Sequence, residues 1–282
     1  MKTSTQEGQF KTSDDLLLFF QSFHPQGETR GTVLLIHDHG EHCGRYRWLA
    51  QKLAENGFSV CIYDQRGHGK SEGVRAYIST TRRLVDDLSL LWQRVRSDRM
   101  FLLGQGLGAC IAMDFALRKD RGKLGLVFCS PAFRPVREPS LADSAAIMFG
   151  SLLLPGFSSV NFKFETHPKD ISRDPNAVRE FQRDPYVYHG AMRNRTGRVM
   201  LRLMKQSRQQ ISRLTNPLLI LHGDADPVMD PGASRELFER ARSKQKELKI
   251  IPGAYHELFH DLDRQKALKI LLSWLKKQTR RK

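Results

Sequence analysis

A mostly parallel β-sheet with helices on both faces, an α/β fold, follows from two features of this chain. Short apolar runs bounded by Gly, Pro or polar turns recur along it, and they alternate with longer amphipathic stretches of helical spacing. Apolar runs of that kind suit strands buried on both faces, and the intervening helices supply the cover.

Taken in order, residues 15–20 and 31–36 read as the first strands. Residues 46–56 read as a helix, 58–63 as a strand, 80–97 as a helix and 101–103 as a strand. Residues 109–116 are apolar enough for a buried helix, and 124–128 form the next strand. The pattern resumes at 218–221 and 248–251, and a closing helix spans about 264–277. Between about 133 and 209 no clear strand occurs, which predicts a helical insertion into one domain of 282 residues. Inside it, residues 144–154 are apolar nearly all round and are expected to form a buried helix. The alternative is a surface that docks on lipid, since the run falls short of the roughly 18 residues that span a bilayer.

The N-terminus, residues 1–8, is polar and lacks the apolar core of a signal peptide. Cys43, Cys61, Cys110 and Cys129 are scattered singly with no C-x-x-C pair, so buried free thiols are expected, and with them a cytoplasmic location. The formal net charge is +16. No acidic residue lies between Asp184 and Asp224, yet Arg193, Arg195, Arg198, Arg202, Lys205, Arg208 and Arg213 do, and the chain closes on a basic run, 276–282. Such a field favours anionic partners and predicts peripheral contact with anionic membranes; a solvated basic face is the plainer reading. No nucleic-acid module or aromatic platform accompanies the charge, which argues against specific DNA or RNA binding.

The chemistry concentrates at Gly104-Gln105-Gly106-Leu107-Gly108, between an apolar run and a helical pattern. This is the G-x-S-x-G frame of a serine hydrolase's nucleophile elbow with glycine at the serine position. Acyl transfer needs an attacking oxygen, a base, an acid that orients the base, and donors for the oxyanion. Asp226, in a loop after the strand at 218–221, and His256, in a loop after the strand at 248–251, follow in the order expected of acid and base. Neither Ser71 nor Ser130 stands where it would replace the nucleophile.

Together with His37-Asp38-His39-Gly40-Glu41-His42-Cys43-Gly44-Arg45-Tyr46 and Asp64-Gln65-Arg66-Gly67-His68-Gly69-Lys70-Ser71, these motifs resemble the monoacylglycerol lipase and lysophospholipase branch of the α/β hydrolases, from about residue 8 to 275. The resemblance implies an α/β-hydrolase fold with the insertion as a cap. It also implies a lipid or small ester as substrate or ligand, and no cofactor. By the same resemblance the oxyanion donors are the backbone N–H groups of His39 and Leu107. Two residues depart from the pattern. Asp38 replaces the first glycine of H-G-x-G and brings a negative charge beside the oxyanion site, and Gly106 offers no nucleophile. A glycine there also relieves the backbone strain of the elbow. The expectation is an ester hydrolase by descent that is inactive or strongly impaired, or a non-catalytic acyl-ligand-binding protein. A rival reading takes His37, His39 and His42 as zinc ligands of a metal-dependent hydrolase.

Overall fold

The computed structural model describes residues 3–119, 124–157 and 167–280. Eight strands make one sheet in the order β1-β2-β4-β3-β5-β6-β7-β8. They are β1 (Thr3–Lys11), β2 (Leu17–Pro25), β3 (Thr32–Ile36), β4 (Ser59–Tyr63), β5 (Met100–Gln105), β6 (Gly125–Cys129), β7 (Leu218–Gly223) and β8 (Lys246–Ile251). From β4 to β8 every pairing is parallel; β1 and β2 are antiparallel to each other, and β2 to β4. This is an α/β-hydrolase fold.

Continuous apolar strands arise because each face has its own core. Leu34 and Ile36 join one buried cluster with residues of α2 (Thr81–Val95) and α3 (Leu107–Lys119). Val33 and Leu35 join the other, with α1 (Arg47–Glu55) and α9 (Arg264–Thr279). Successive side chains point to opposite faces, so both sets must be apolar.

β1 does not appear in the apolar pattern. It is a polar edge strand, exposed at Ser4, Thr5, Gln6 and Glu7, and its backbone pairing with β2 holds it. β2 runs past the expected residue 20 to Pro25, and α8 (Pro231–Arg240) is a further helix the apolar pattern does not mark, begun by Pro231 with Asp230 capping Gly232 N at 2.7 Å.

Between β6 and β7 lie α4 (Leu141–Leu153), α5 (Pro168–Ile171), α6 (Pro175–Arg183) and α7 (Asn194–Gln210), with no strand of the sheet among the described residues. Residues 158–166 of the expected insertion lie outside the described residues, as do Arg281 and Lys282 of the basic tail and Met1 and Lys2 of the N-terminus. The expectation of a buried helix at 144–154 is overturned. α4 buries only Ile147 and Ser151, leaving Phe149 61%, Leu152 63% and Leu153 79% exposed. Among the described residues it packs chiefly on α7, along the stripe that carries Ile147 and Ser151. Among the described residues no helix is long and apolar enough to cross a membrane. The four cysteines are buried and unpaired.

Candidate active site

β3 and β5 are neighbours at the point where the strand order reverses, so the loops leaving their carboxyl ends face each other across a crevice. The β5 loop is a single residue. Gly106, at φ +51°, separates Gln105 from the start of α3, and its N–H donates to Cys129 O at 3.0 Å while its carbonyl accepts from Ala132 N at 3.0 Å. A Cβ at Gly108 would lie 2.2 Å from Ile36 O, so glycine is required there for α3 to lie against β3.

The β3 loop delivers Asp38. His37 anchors it: the buried ring donates from Nδ1 to Asp38 O at 2.6 Å and accepts from Gln65 N at Nε2, 3.0 Å. Burial pushes His37 down to about 3, so it is a neutral strut. With its backbone held, Asp38 swings its carboxylate over the elbow. Oδ1 accepts from both His39 N and Leu107 N at 2.7 Å, the two amides that the family resemblance implies as oxyanion donors. Oδ2 lies 3.2 Å from His256 Nε2. A Cβ built on Gly106 would come within 1.9 Å of that same Oδ2. The Asp38 carboxylate therefore lies directly on these two amides.

Asp226 and His256 meet beneath it. Asp226 Oδ2 accepts from His256 Nδ1 at 2.8 Å and from His222 Nε2 at 3.0 Å, and Oδ1 from Val228 N at 2.8 Å and Met229 N at 2.9 Å. Burial alone would raise this carboxyl, but His256, His222 and the hydrogen bonds hold it well below the usual carboxylate range. Burial likewise opposes charge on His256, yet the Asp226 and Asp38 carboxylates hold its pKa well above the ordinary histidine value. Each ring nitrogen faces a carboxylate group, an arrangement that favours the protonated ring.

Three supporting residues carry no motif signature. Ser130 Oγ donates to His256 O at 2.7 Å and Gln105 Nε2 to the same carbonyl at 3.2 Å; His222 shares Asp226 and meets Ser234 Oγ at 2.7 Å through Nδ1. Ser130 is fully buried at φ +41°, a conformation non-glycine residues adopt at a cost. The only sequence signal for it is its place directly after β6, beside the elbow. Ser71 is remote from this chemistry, its hydroxyl donating to Asp64 O at 2.5 Å. Buried Arg45 ties Glu41 of the β3 loop to Glu257 next to His256, so the two loops are locked by charge.

The three histidines of the zinc reading do not converge. His37 is committed to Asp38 O and Gln65 N, His42 pairs with Asp184 at 2.8 Å, and His39 packs edge-on to His68. Among the described residues no group of three or more His, Cys, Asp or Glu side chains is arranged to hold a metal ion.

A cavity of about 830 Å³ opens on the outer side of α4, α7 and α8, lined by Ile147, Met148, Arg198, Arg202, Lys205 and Arg208 among others. Asp38, Gly106 and His256 are not among its lining residues, so this basic recess is separate from the elbow.

A family model described as Hydrolase_4: Serine aminopeptidase, S33, matches residues 27–263. The chain is 30% identical over 280 residues to a monoacylglycerol lipase of Mycolicibacterium smegmatis, spanning 98% of this chain and 99% of that protein. It is 31% identical over 257 residues to a monoglyceride lipase of Rattus norvegicus, spanning 89% and 83%. Among solved structures, a Paleococcus ferrophilus monoacylglycerol lipase is similar at a TM-score of 0.78 and 29% identity, over 96% of this chain and 98% of that one. The family match covers most of the chain, from β3 through the His256 loop. The chain belongs to this Hydrolase_4 family of α/β hydrolases, in the company of monoglyceride lipases.

Proposed function

We propose that this chain descends from monoacylglycerol-lipase-like carboxylic-ester hydrolases and no longer carries out their acyl transfer. Gly106 stands at the nucleophile position, Asp226 and His256 at those of acid and base, and the His39 and Leu107 amides at those of the oxyanion donors. The observation that carries the reading is the Asp38 carboxylate, hydrogen-bonded to both amides at 2.7 Å and to His256 at 3.2 Å. An anionic tetrahedral intermediate requires those same donors, and a resident anion both blocks and repels it. Toward esters the site is then a binding site for a lipid or acyl ligand under the α4–α7 cap, not a reaction centre. The test is hydrolysis of p-nitrophenyl esters and labelling by a fluorophosphonate. The unmodified chain is expected to do neither, and turnover at rates ordinary for an esterase would overturn the reading.

A second element is peripheral contact with anionic membranes, at a location we take to be cytoplasmic. It is supported by the exposed apolar side of α4, with Leu154 and Phe157 continuing it, and by the cations Arg198, Arg202 and Lys205 in the recess that Ile147 and Met148 of α4 also line. Exposed apolar side chains together with cations fit an acidic lipid surface.

A further inference from the structure

The geometry points to a second chemistry in the same place: we propose that the Asp38 carboxylate is a nucleophile that opens an epoxide at a saturated carbon and is regenerated by water. The inference goes beyond the loss of acyl transfer, although it rests on the same placement of Asp38.

The choice of electrophile follows from the nucleophile. A carboxylate that attacks an ester produces an anhydride, more reactive than the ester consumed, so acyl substrates lead nowhere. A carboxylate that attacks a saturated carbon produces an ordinary ester, and this fold holds the parts that would cleave one. Asp38 Oδ2 is the oxygen left without a backbone donor. The side chain keeps 18% exposure, and His256 Nε2 lies 3.2 Å from Oδ2, placed to donate a proton beside it. Oδ1 is pinned by His39 N and Leu107 N at 2.7 Å each. After attack by Oδ2, Oδ1 becomes the carbonyl oxygen of the new ester, already seated between two donors suited to polarise it. A strained cyclic ether fits better than an alkyl halide, because its leaving oxygen needs a proton and His256 carries one beside the attacking atom.

The steps balance. Oδ2 forms a bond to the epoxide carbon as that carbon's bond to the ring oxygen breaks, and the oxygen takes the Nε2 proton. This leaves a β-hydroxyalkyl ester on Asp38 and a neutral His256. Esterification removes one of the two carboxylates that hold His256 charged, which frees it to act as a base, still oriented by Asp226 at 2.8 Å. His256 takes a proton from water, whose oxygen adds to Cγ of Asp38, placing negative charge on Oδ1. The Cγ–Oδ2 bond then breaks, and the departing alkoxide takes the proton of the new Cγ hydroxyl. A vicinal diol leaves, with Asp38 again a carboxylate and His256 again protonated. One oxygen of the first diol comes from Asp38, and the oxygen of water stays in the protein.

The experiment is a single turnover of the full-length chain, in excess over 1,2-epoxyoctane or styrene oxide, in H₂¹⁸O. The first diol is expected to be unlabelled, and the proteolytic peptide containing Asp38 is expected to gain 2 Da. Under multiple turnover the diol becomes labelled. Asp38→Asn and Asp38→Ala are expected to lose diol formation at least 100-fold while keeping a cooperative thermal melt. If a variant fails to fold, the isotope result on the unmodified chain decides alone. Label in the first diol with none in the Asp38 peptide would overturn the proposal in favour of direct attack by water. No diol from either epoxide with a folded protein would overturn it as well. Ester turnover by the unmodified chain would instead strike the loss of acyl transfer, and is read in a separate assay.

Discussion

Asp38 and Gly106 occupy one space between them: Asp38 Oδ2 stands 1.9 Å from where a Cβ on Gly106 would lie, closer than any two non-bonded heavy atoms can come. The residues at positions 38 and 106 are therefore one structural choice. A serine side chain at 106 and a carboxylate on the His39 and Leu107 amides are alternatives, and this chain has the second.

Supplying a serine at position 106 alone should fail. Gly106→Ser must drive the Asp38 carboxylate off three hydrogen-bonding partners and place a non-glycine residue at φ +51°, a cost of about 1–3 kcal/mol. The single variant is expected to melt below the parent and to label poorly with a fluorophosphonate. Asp38→Gly with Gly106→Ser clears the donors and supplies the oxygen, and esterase activity is expected to exceed that of the single variant by about 10²–10³-fold, the usual worth of an oxyanion donor. Equal silence from both variants would mean that Asp38 is not what stands in the way.

The protonated state of His256 should be visible and should depend on Asp38. In the parent the imidazole is expected to stay protonated at pH 7 by ¹⁵N or ¹H NMR, and Asp38→Asn should lower its pKa. His256 has a folded pKa above its unfolded value of about 6.5, so its contribution is fully present below that pH and is lost as pH rises through the folded pKa. Asp226 is depressed, so its contribution is present above about pH 3.9 and is lost as pH falls through the folded pKa. Between about pH 4 and 6.5 both act in full, and the melting temperature lost in His256→Gln should be largest below about pH 6.5 and shrink on the alkaline side. A difference that grows above pH 7 would refute the imidazolium.

Ser130 is expected to be a positioning residue. Ser130→Ala removes the 2.7 Å bond to His256 O while Gln105 still donates to that carbonyl, so the cost should be near 1 kcal/mol, or a fall in Tm of about 2–4 °C. A change in the His256 pKa by NMR beyond that small loss of stability would register its hold on the loop; a purely structural role would leave the pKa in place.

Membrane contact should require both parts of the α4–α7 surface. Co-sedimentation with vesicles rich in acidic phospholipid is expected to exceed that with neutral vesicles and to weaken as salt rises. Replacing Phe149, Leu152 and Leu153 by Ser should reduce it at every salt concentration, since these side chains are 61%, 63% and 79% exposed. Equal pelleting with neutral and acidic vesicles would count against the basic rim.

Much of this protein could be read along the chain because the relevant signals are local. Apolar runs such as Val33–Ile36 fill two cores at once, and Gly108 is needed where α3 crosses Ile36 O, so the sheet and the elbow are written in consecutive residues. Polar β1 is not legible along the chain, because it buries a single side chain, Phe10, and otherwise pairs through its backbone with β2, and α4 departs from the expectation because burial depends on how many neighbours a helix meets. The meaning of Asp38 was decided only by the tertiary structure. Its partners Leu107 and His256 lie 69 and 218 residues away in sequence. They converge on one carboxylate because the strand order reverses between β3 and β5 and the loop after β8 carries His256 to the same place, and hydrogen bonds act over about 3 Å of space, whatever the length of chain between.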